Sequence, residues 1–349
     1  MSMDREAVRN RFDLANQWIR GAVMVGVLDL ADRTGVLRVL AAHGPSTAAE
    51  VAASGSLDER YVLEMLSALA AGGVVSYDGG RFAVDEESIA VFGDEASPYF
   101  VGGLTRDIPS VLAALPVLTE AVASGRGVAR SEYPGDSVAG AGRVNAPSIR
   151  VLLVRKWLAA MPDVVEALTA GGRVLDVGCG IGAASLAIAA AHPAATVEGI
   201  DIDAEAIAAA RRGASELGAP NVTFRVANVL DLDAEGAYDL VVAFDTIHDI
   251  GEAFEALRRV HRSLAENGTF FMVEPDAGPS LEANLDERGA FLYGLSALLC
   301  LPLSRSSGDD ALGTAWGPRR AEELARAAGF TRFERLPIEN PVNAFYRLG

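Results

Sequence analysis

The chain has 349 residues, about twice the length of a common single domain; half of it is hydrophobic and 22% is charged, which excludes wholesale disorder and a fibrous repeat. Its 47 acidic residues against 30 basic ones leave a formal charge of −17, whose field repels phosphate backbones and anionic lipid, so neither nucleic acid nor a membrane is an expected partner. Cys179 and Cys300 are too few for a disulfide framework or a thiolate metal site, and the mixed charge of Asp4, Arg5 and Glu6 does not suit a secretory leader, so a cytoplasmic location is expected.

Residues 1–95 read as mostly helical. Apolar helices are expected at 12–31 and 34–42, then a short helix opened by the capping box Thr47-Ala48-Ala49-Glu50, then a helix over 58–71. Val74 to Tyr77, the turn Asp78-Gly79-Gly80 and Arg81 to Val84 follow as a hairpin signal, which completes the helix, helix, hairpin order of a winged helix. That order often serves DNA, but the second helix of the motif carries Asp58, Glu59 and Glu64 against Arg60, and residues 1–95 hold 15 acidic and 8 basic residues. A DNA reader needs a basic face, so the expected use is dimerisation and walling of a substrate pocket.

Residues 96–150 form a connector rich in Gly, Pro and Ser, with Gly125-Arg126-Gly127 and Tyr133-Pro134-Gly135, and a helix over 146–168 leads into a second domain over 151–349. From Val174 the pattern alternates strand and helix, the mark of a parallel sheet covered on both faces. Strands are expected at 174–177, 196–200, 222–226, 240–244 and 269–273, with helices at 183–191, 204–217, 252–265 and 319–328; 333–336 and 344–347 read as a terminal antiparallel pair.

The sharpest motif is Val174-Leu175-Asp176-Val177-Gly178-Cys179-Gly180-Ile181-Gly182: a buried strand ends in a glycine turn that opens a helix and lets backbone approach a ligand. Its G-x-G-x-G spacing differs from the dinucleotide G-x-G-x-x-G. A second acid, Asp201, follows the first in Gly199-Ile200-Asp201. These residues resemble the first motifs of class I S-adenosylmethionine-dependent methyltransferases. The whole chain resembles their small-molecule O-methyltransferase type with an N-terminal winged-helix dimerisation domain, the plant phenolic enzymes and their bacterial natural-product relatives.

The resemblance implies an α/β fold: a Rossmann-like seven-stranded sheet behind a mostly helical winged-helix domain, acting as a homodimer on a small, aromatic hydroxylated molecule. It implies S-adenosylmethionine as cofactor and S-adenosylhomocysteine as product. Gly178, Gly180 and Gly182 would line the methionine and ribose part, Asp176 would hold the amino group, and Asp201 would grip both ribose hydroxyls. Ile202 would pack on adenine, with Val229 beside it. Asn228 stands where the family usually has an aspartate for the adenine amino group, and its side-chain oxygen can accept that bond without charge. Asp245 would approach the sulfonium.

Phe244-Asp245-Thr246-Ile247-His248-Asp249 ends the fourth strand, and ligands of open parallel sheets bind beyond such ends. His248-Asp249 matches the family's His-Asp pair, which makes His248 the expected general base, and Glu274 matches the glutamate that orients it. The family's second orienting glutamate falls on Ala315 here, so the base has one acid behind it. His43, His192 and His261 are read as structural.

Some relatives acting on α-keto acids bind iron through this histidine and a second one downstream, but residues 275–349 contain no histidine and Cys300 lies in an apolar stretch, so no metal is expected and Cys300 is read as an inert thiol. Tyr99, Phe100, Trp157, Phe291, Tyr293 and Trp316 could wall the acceptor pocket or simply fill core. A C- or N-methyltransferase on another small molecule, or a ligand-sensing winged-helix regulator without turnover, remain the alternative readings.

Overall fold

The computed structural model describes residues 3–134 and 137–349; Met1, Ser2 and Gly135 of the expected Tyr133–Gly135 turn lie outside the described residues. The chain divides into two compact units, residues 1–109 with 139–147, and 110–138 with 148–349, so the stretch 96–150 is shared between them.

In the first unit, Asp4 caps α1 (Arg5–Thr34) by accepting from the backbone of Glu6 and Ala7, which starts this helix earlier than its apolar pattern does. Left-handed Gly35 ends it and leads into α2 (Val36–His43). The expected Thr47–Glu50 capping box opens α3 (Ala48–Gly55), and Asp58 caps α4 (Glu59–Ala71). β1 (Ser76–Asp78) and β2 (Arg81–Ala83) pair antiparallel across Gly79 and Gly80, both at positive φ, as a two-residue hairpin turn requires. The core under this winged helix holds Val36, Leu40, Val62, Leu66, Leu69 and Phe82. Phe12, Trp18, Ile19 and Val23 of α1 are exposed.

The second unit is built on one sheet with the order β5-β4-β3-β6-β7-β9-β8, where β3 is Arg173–Val177, β4 Thr196–Asp201, β5 Val222–Val226, β6 Tyr238–Phe244, β7 Leu264–Pro275, β8 Phe333–Arg335 and β9 Asn343–Leu348. β5 to β7 run parallel, and β9 joins β7 antiparallel with β8 outside it, so the expected seven-stranded α/β sheet and its terminal pair are found. Leu175, Val241, Phe270 and Met272 are fully enclosed under the covering helices. The order reverses between β3 and β6, which makes the carboxyl ends of these two strands the place for a ligand.

The helix expected over 146–168 is broken: α-helix gives way to a π turn at Leu153–Trp157 and a short 3-10 turn, and a new helix starts at Pro162. Proline has no N–H to continue the ladder and suits the first turn. Likewise the helix over 252–265 ends at Ser263, and β7 begins at once with Leu264. Among the described residues no single helix is long and apolar enough to cross a membrane.

Candidate active site

β3 ends in a turn whose three glycines all take left-handed backbone, with φ +67, +52 and +81 at Gly178, Gly180 and Gly182. Gly178 and Cys179 donate their N–H groups to the Ile200 carbonyl, which ties the turn to the end of β4. A Cβ on Gly178 would come within 2.4 Å of Thr246, whereas one on Gly180 would meet nothing within 4 Å. The turn is therefore packed on one side and open on the other.

Asp176 is 1% exposed, and its Oδ2 accepts from Ser185 N–H (3.1 Å) and Oγ–H (2.6 Å) in the helix that follows. Burial raises its pKa to about 6. Its bonds to Ser185, both made through Oδ2, hold the turn against the helix that follows. Asp201 accepts one backbone N–H on each oxygen, from Gly180 (2.9 Å) and Asp203 (2.9 Å), leaving each oxygen a further lone pair. Burial pushes its pKa up against these bonds. Ile202 is 73% exposed, an apolar side chain left facing outward beside this acid.

Asn228 Oδ1 accepts from Leu230 N–H (3.0 Å) and caps the turn Val229–Asp231, which leaves it a further lone pair, and Val229 is buried in the core. Asp245 sits at φ +47, strained for a residue with a Cβ, and its Oδ1 accepts from Asn343 Nδ2 at 2.6 Å. Asn343 had no sequence signal.

Beyond β6 a 3-10 turn over Ile247–Asp249 carries His248, which is 3% exposed. Glu274, 1% exposed at the end of β7, reaches across: Oε1 accepts the backbone N–H of Thr246 (3.3 Å) and Ile247 (2.9 Å), and Oε2 faces His248 Nδ1 at 2.6 Å. The structure thus brings together the expected pair of His248 and Glu274. Trp316 adds its indole N–H to Glu274 Oε2 at 3.2 Å, so the neighbour of Ala315 supports the same carboxylate from its other side.

His248 Nε2 lies 3.4 Å from Asp249 Oδ1, an enclosed oxygen with no hydrogen-bond partner. Burial by itself lowers the imidazole pKa, but the Asp249 and Glu274 carboxylates outweigh it and hold it well above its ordinary value. Cys300 completes the cluster: one ligand atom each from His248, Asp249 and Cys300 lies within 4.8 Å of the others. The cysteine read as inert lies beside His248 and Asp249, a placement the sequence did not show. It was missed because it sits 52 residues beyond His248, in a π turn (Ser296–Cys300) between two helices.

Two features hold these segments in register. Val128 N–H donates to Pro302 O (2.9 Å) and Tyr133 O–H to Leu298 O (2.8 Å), which docks residues 128–133 on the segment that carries Cys300. Gly251 and Gly308 cross so closely that a Cβ on Gly251 would lie 2.2 Å from Gly308 N.

Of the aromatic candidates in this unit, Trp157 packs on Phe345 (ring centroids 5.0 Å apart) and Phe244 (6.1 Å) as core, while Phe291 is exposed and the Tyr293 hydroxyl accepts from Asn284 Nδ2 (3.4 Å). In the first unit Tyr99 is exposed and Phe100 buried under Arg143. His261 packs edge-on against Phe330, His43 bonds the Val39 carbonyl, and His192 ends a helix.

A switch-point crevice with this glycine turn has a counterpart in sequence: residues 168–306 match the family described as a methyltransferase domain, and residues 22–87 match the Rv2258c-like winged helix-turn-helix domain. The second unit carries a methyltransferase domain. This domain is 34% identical over 109 residues to trans-aconitate 2-methyltransferase of Methylobacterium nodulans, an alignment covering 31% of this chain and 40% of that relative. The chain spans under half the length of such relatives. Solved structures align over both units: human N-acetylserotonin methyltransferase in complex with S-adenosylmethionine (TM-score 0.69, 19% identity, 99% of this chain and 98% of that one) and mitomycin 7-O-methyltransferase (TM-score 0.64, 18% identity, 99% of each). At these identities the likeness establishes the shared fold of the methyltransferase domain and of the helical domain before it.

Proposed function

We propose that the chain transfers a methyl group from S-adenosylmethionine to an oxygen of a small, largely apolar, aromatic hydroxylated molecule. The observation that carries this reading is the glycine turn of β3, bonded to Asp201 through Gly180 and packed against Thr246 of the segment that leads to His248. The residues fit the cofactor: Gly180 leaves space above its backbone, Asp201 keeps two lone pairs for a ribose diol, and exposed Ile202 offers an apolar face to adenine. Asp176 shapes the turn through Ser185, and Gly178, Gly182, Asn228, Val229 and Asp245 complete the candidate cofactor-binding set, Asn228 bonded to Leu230 and Asp245 to Asn343. When bound, the cofactor supplies a methyl group on a positively charged sulfur, a carbon already activated for displacement.

The protein's part is then to orient the acceptor and to favour its ionised oxygen. Glu274 Oε2 holds His248 at Nδ1 and Asp249 Oδ1 lies near Nε2, so the imidazole is fixed in orientation between two carboxylates, and the acceptor oxygen belongs beside Nε2. The exposed apolar side chains of α1 support a homodimer through the first unit; light scattering on the purified chain should give the mass of two chains. The deciding experiment is incubation with S-adenosylmethionine and a panel of phenols, keto acids and amines. A mass gain of one methylene on a phenol or enol is expected, and gain only on amines would overturn oxygen transfer.

A further inference from the structure

We propose that His248, Asp249 and Cys300 form a binding site for one divalent cation of the zinc type, with its remaining position open to the acceptor oxygen. This inference rests on the methyl-transfer reading only for that last point; the ion site itself stands on the geometry of the three side chains.

Three independent observations converge. The ligand atoms of His248, Asp249 and Cys300 lie within 4.8 Å of one another, and Nε2 and Oδ1 are 3.4 Å apart. Nitrogen and oxygen ligands about 2.0–2.1 Å from one tetrahedral ion lie roughly 3.3 Å apart, so that edge already has the length an ion needs. Asp249 Oδ1 is enclosed and has no hydrogen-bond partner, a cost that a cation would remove. Glu274 grips the far imidazole nitrogen at 2.6 Å, the carboxylate–histidine arrangement that fixes a ligating imidazole with its other lone pair facing the ion.

The donor set selects the ion. Imidazole nitrogen, carboxylate oxygen and thiolate sulfur together suit zinc or a cation of similar softness, while magnesium and calcium prefer oxygen alone. Three protein ligands are one fewer than a closed structural site holds and match the count of catalytic sites, which keep a place for water or substrate. Cys300 comes from a π turn, a helix irregularity often found where a side chain must be aimed at a site. An ion here would favour the ionised form of a hydroxyl or enol placed at the open position, its proton passing to solvent.

The full-length chain, purified, freed of metal with chelator and titrated with Co²⁺, should bind one ion with an intense near-ultraviolet charge-transfer band from a thiolate. Cys300→Ser should abolish that band and Cys179→Ser should keep it. Glu274→Gln should weaken Zn²⁺ binding by about 10- to 100-fold, the range for loss of a carboxylate behind a ligating histidine. Absence of stoichiometric Co²⁺ or Zn²⁺ binding by the folded wild type, or a thiolate band that survives Cys300→Ser, would overturn the site. Calorimetry of S-adenosylmethionine on the metal-free and Zn²⁺-loaded chain separates the two readings: ion binding without cofactor binding sinks the methyl-transfer reading alone, and cofactor binding with no ion sinks the ion site alone.

Discussion

The glycine turn follows β3 and the His248 cluster begins beyond its neighbour β6, on the two strands that flank the switch point of the sheet, yet they are made of different material. The turn is backbone: three left-handed glycines and a carboxylate, Asp201, that clamps the N–H of the middle one. The cluster is side chain: His248, Asp249, Glu274, Cys300 and Trp316 arrive from the ends of two strands, a helix irregularity and a loop. A backbone site is fixed by local chain geometry and tolerates little added volume. A side-chain site depends on several distant segments staying in register, and its chemistry changes when one residue type is exchanged.

The contrast is sharpened most by Asp201→Ala. Loss of two charge-assisted bonds to a ribose should weaken S-adenosylmethionine binding by about 2 to 4 kcal/mol, and unchanged affinity by calorimetry in a folded variant would remove Asp201 from the site.

Asp176→Asn tests the buried support of the same turn. The carboxyl is raised to about 6 from an ordinary 3.8, so between those values the folded state binds more protons than the unfolded one and stability falls as pH rises, then levels off above about pH 6. An amide still accepts from Ser185 without charge. The variant should gain roughly 1 to 3 kcal/mol at pH 7.5 and lose the slope between pH 4 and 6; urea unfolding that shows no gain would contradict the burial of a charged carboxylate there.

The smallest effect probes the side-chain region. Trp316→Phe keeps an aromatic ring but removes the N–H that Glu274 Oε2 accepts, which should cost about 1 kcal/mol in kcat with KM little changed and a shifted pH–rate profile. A change in KM alone would make Trp316 a pocket wall and nothing more.

The same contrast explains what could be read from the chain. Asp176 to Gly182 lie within seven consecutive residues, and alternation of buried strand and helix announced the sheet, so the fold and the crevice were legible. His248 and Glu274 could be found because one follows β6 within a few residues and the other stands at the end of β7. Cys300 and Trp316 follow a long excursion after β7, where helix, π turn and loop give no fixed spacing from the strand ends, and apolar surroundings made the thiol look like core. Asn228 has a local role that the sequence did not show: its side chain caps its own turn.

The crossing of Gly251 and Gly308 gives the side-chain region its gauge. One glycine follows the turn that carries His248 and Asp249, the other ends the helix that continues from Cys300, and their main chains touch where any other residue would interpose a methyl group. The separation between the imidazole and the thiol is therefore set by missing atoms. A single Gly308→Ala would act as a shim, prising the two segments apart by the width of a carbon while leaving every reactive group intact.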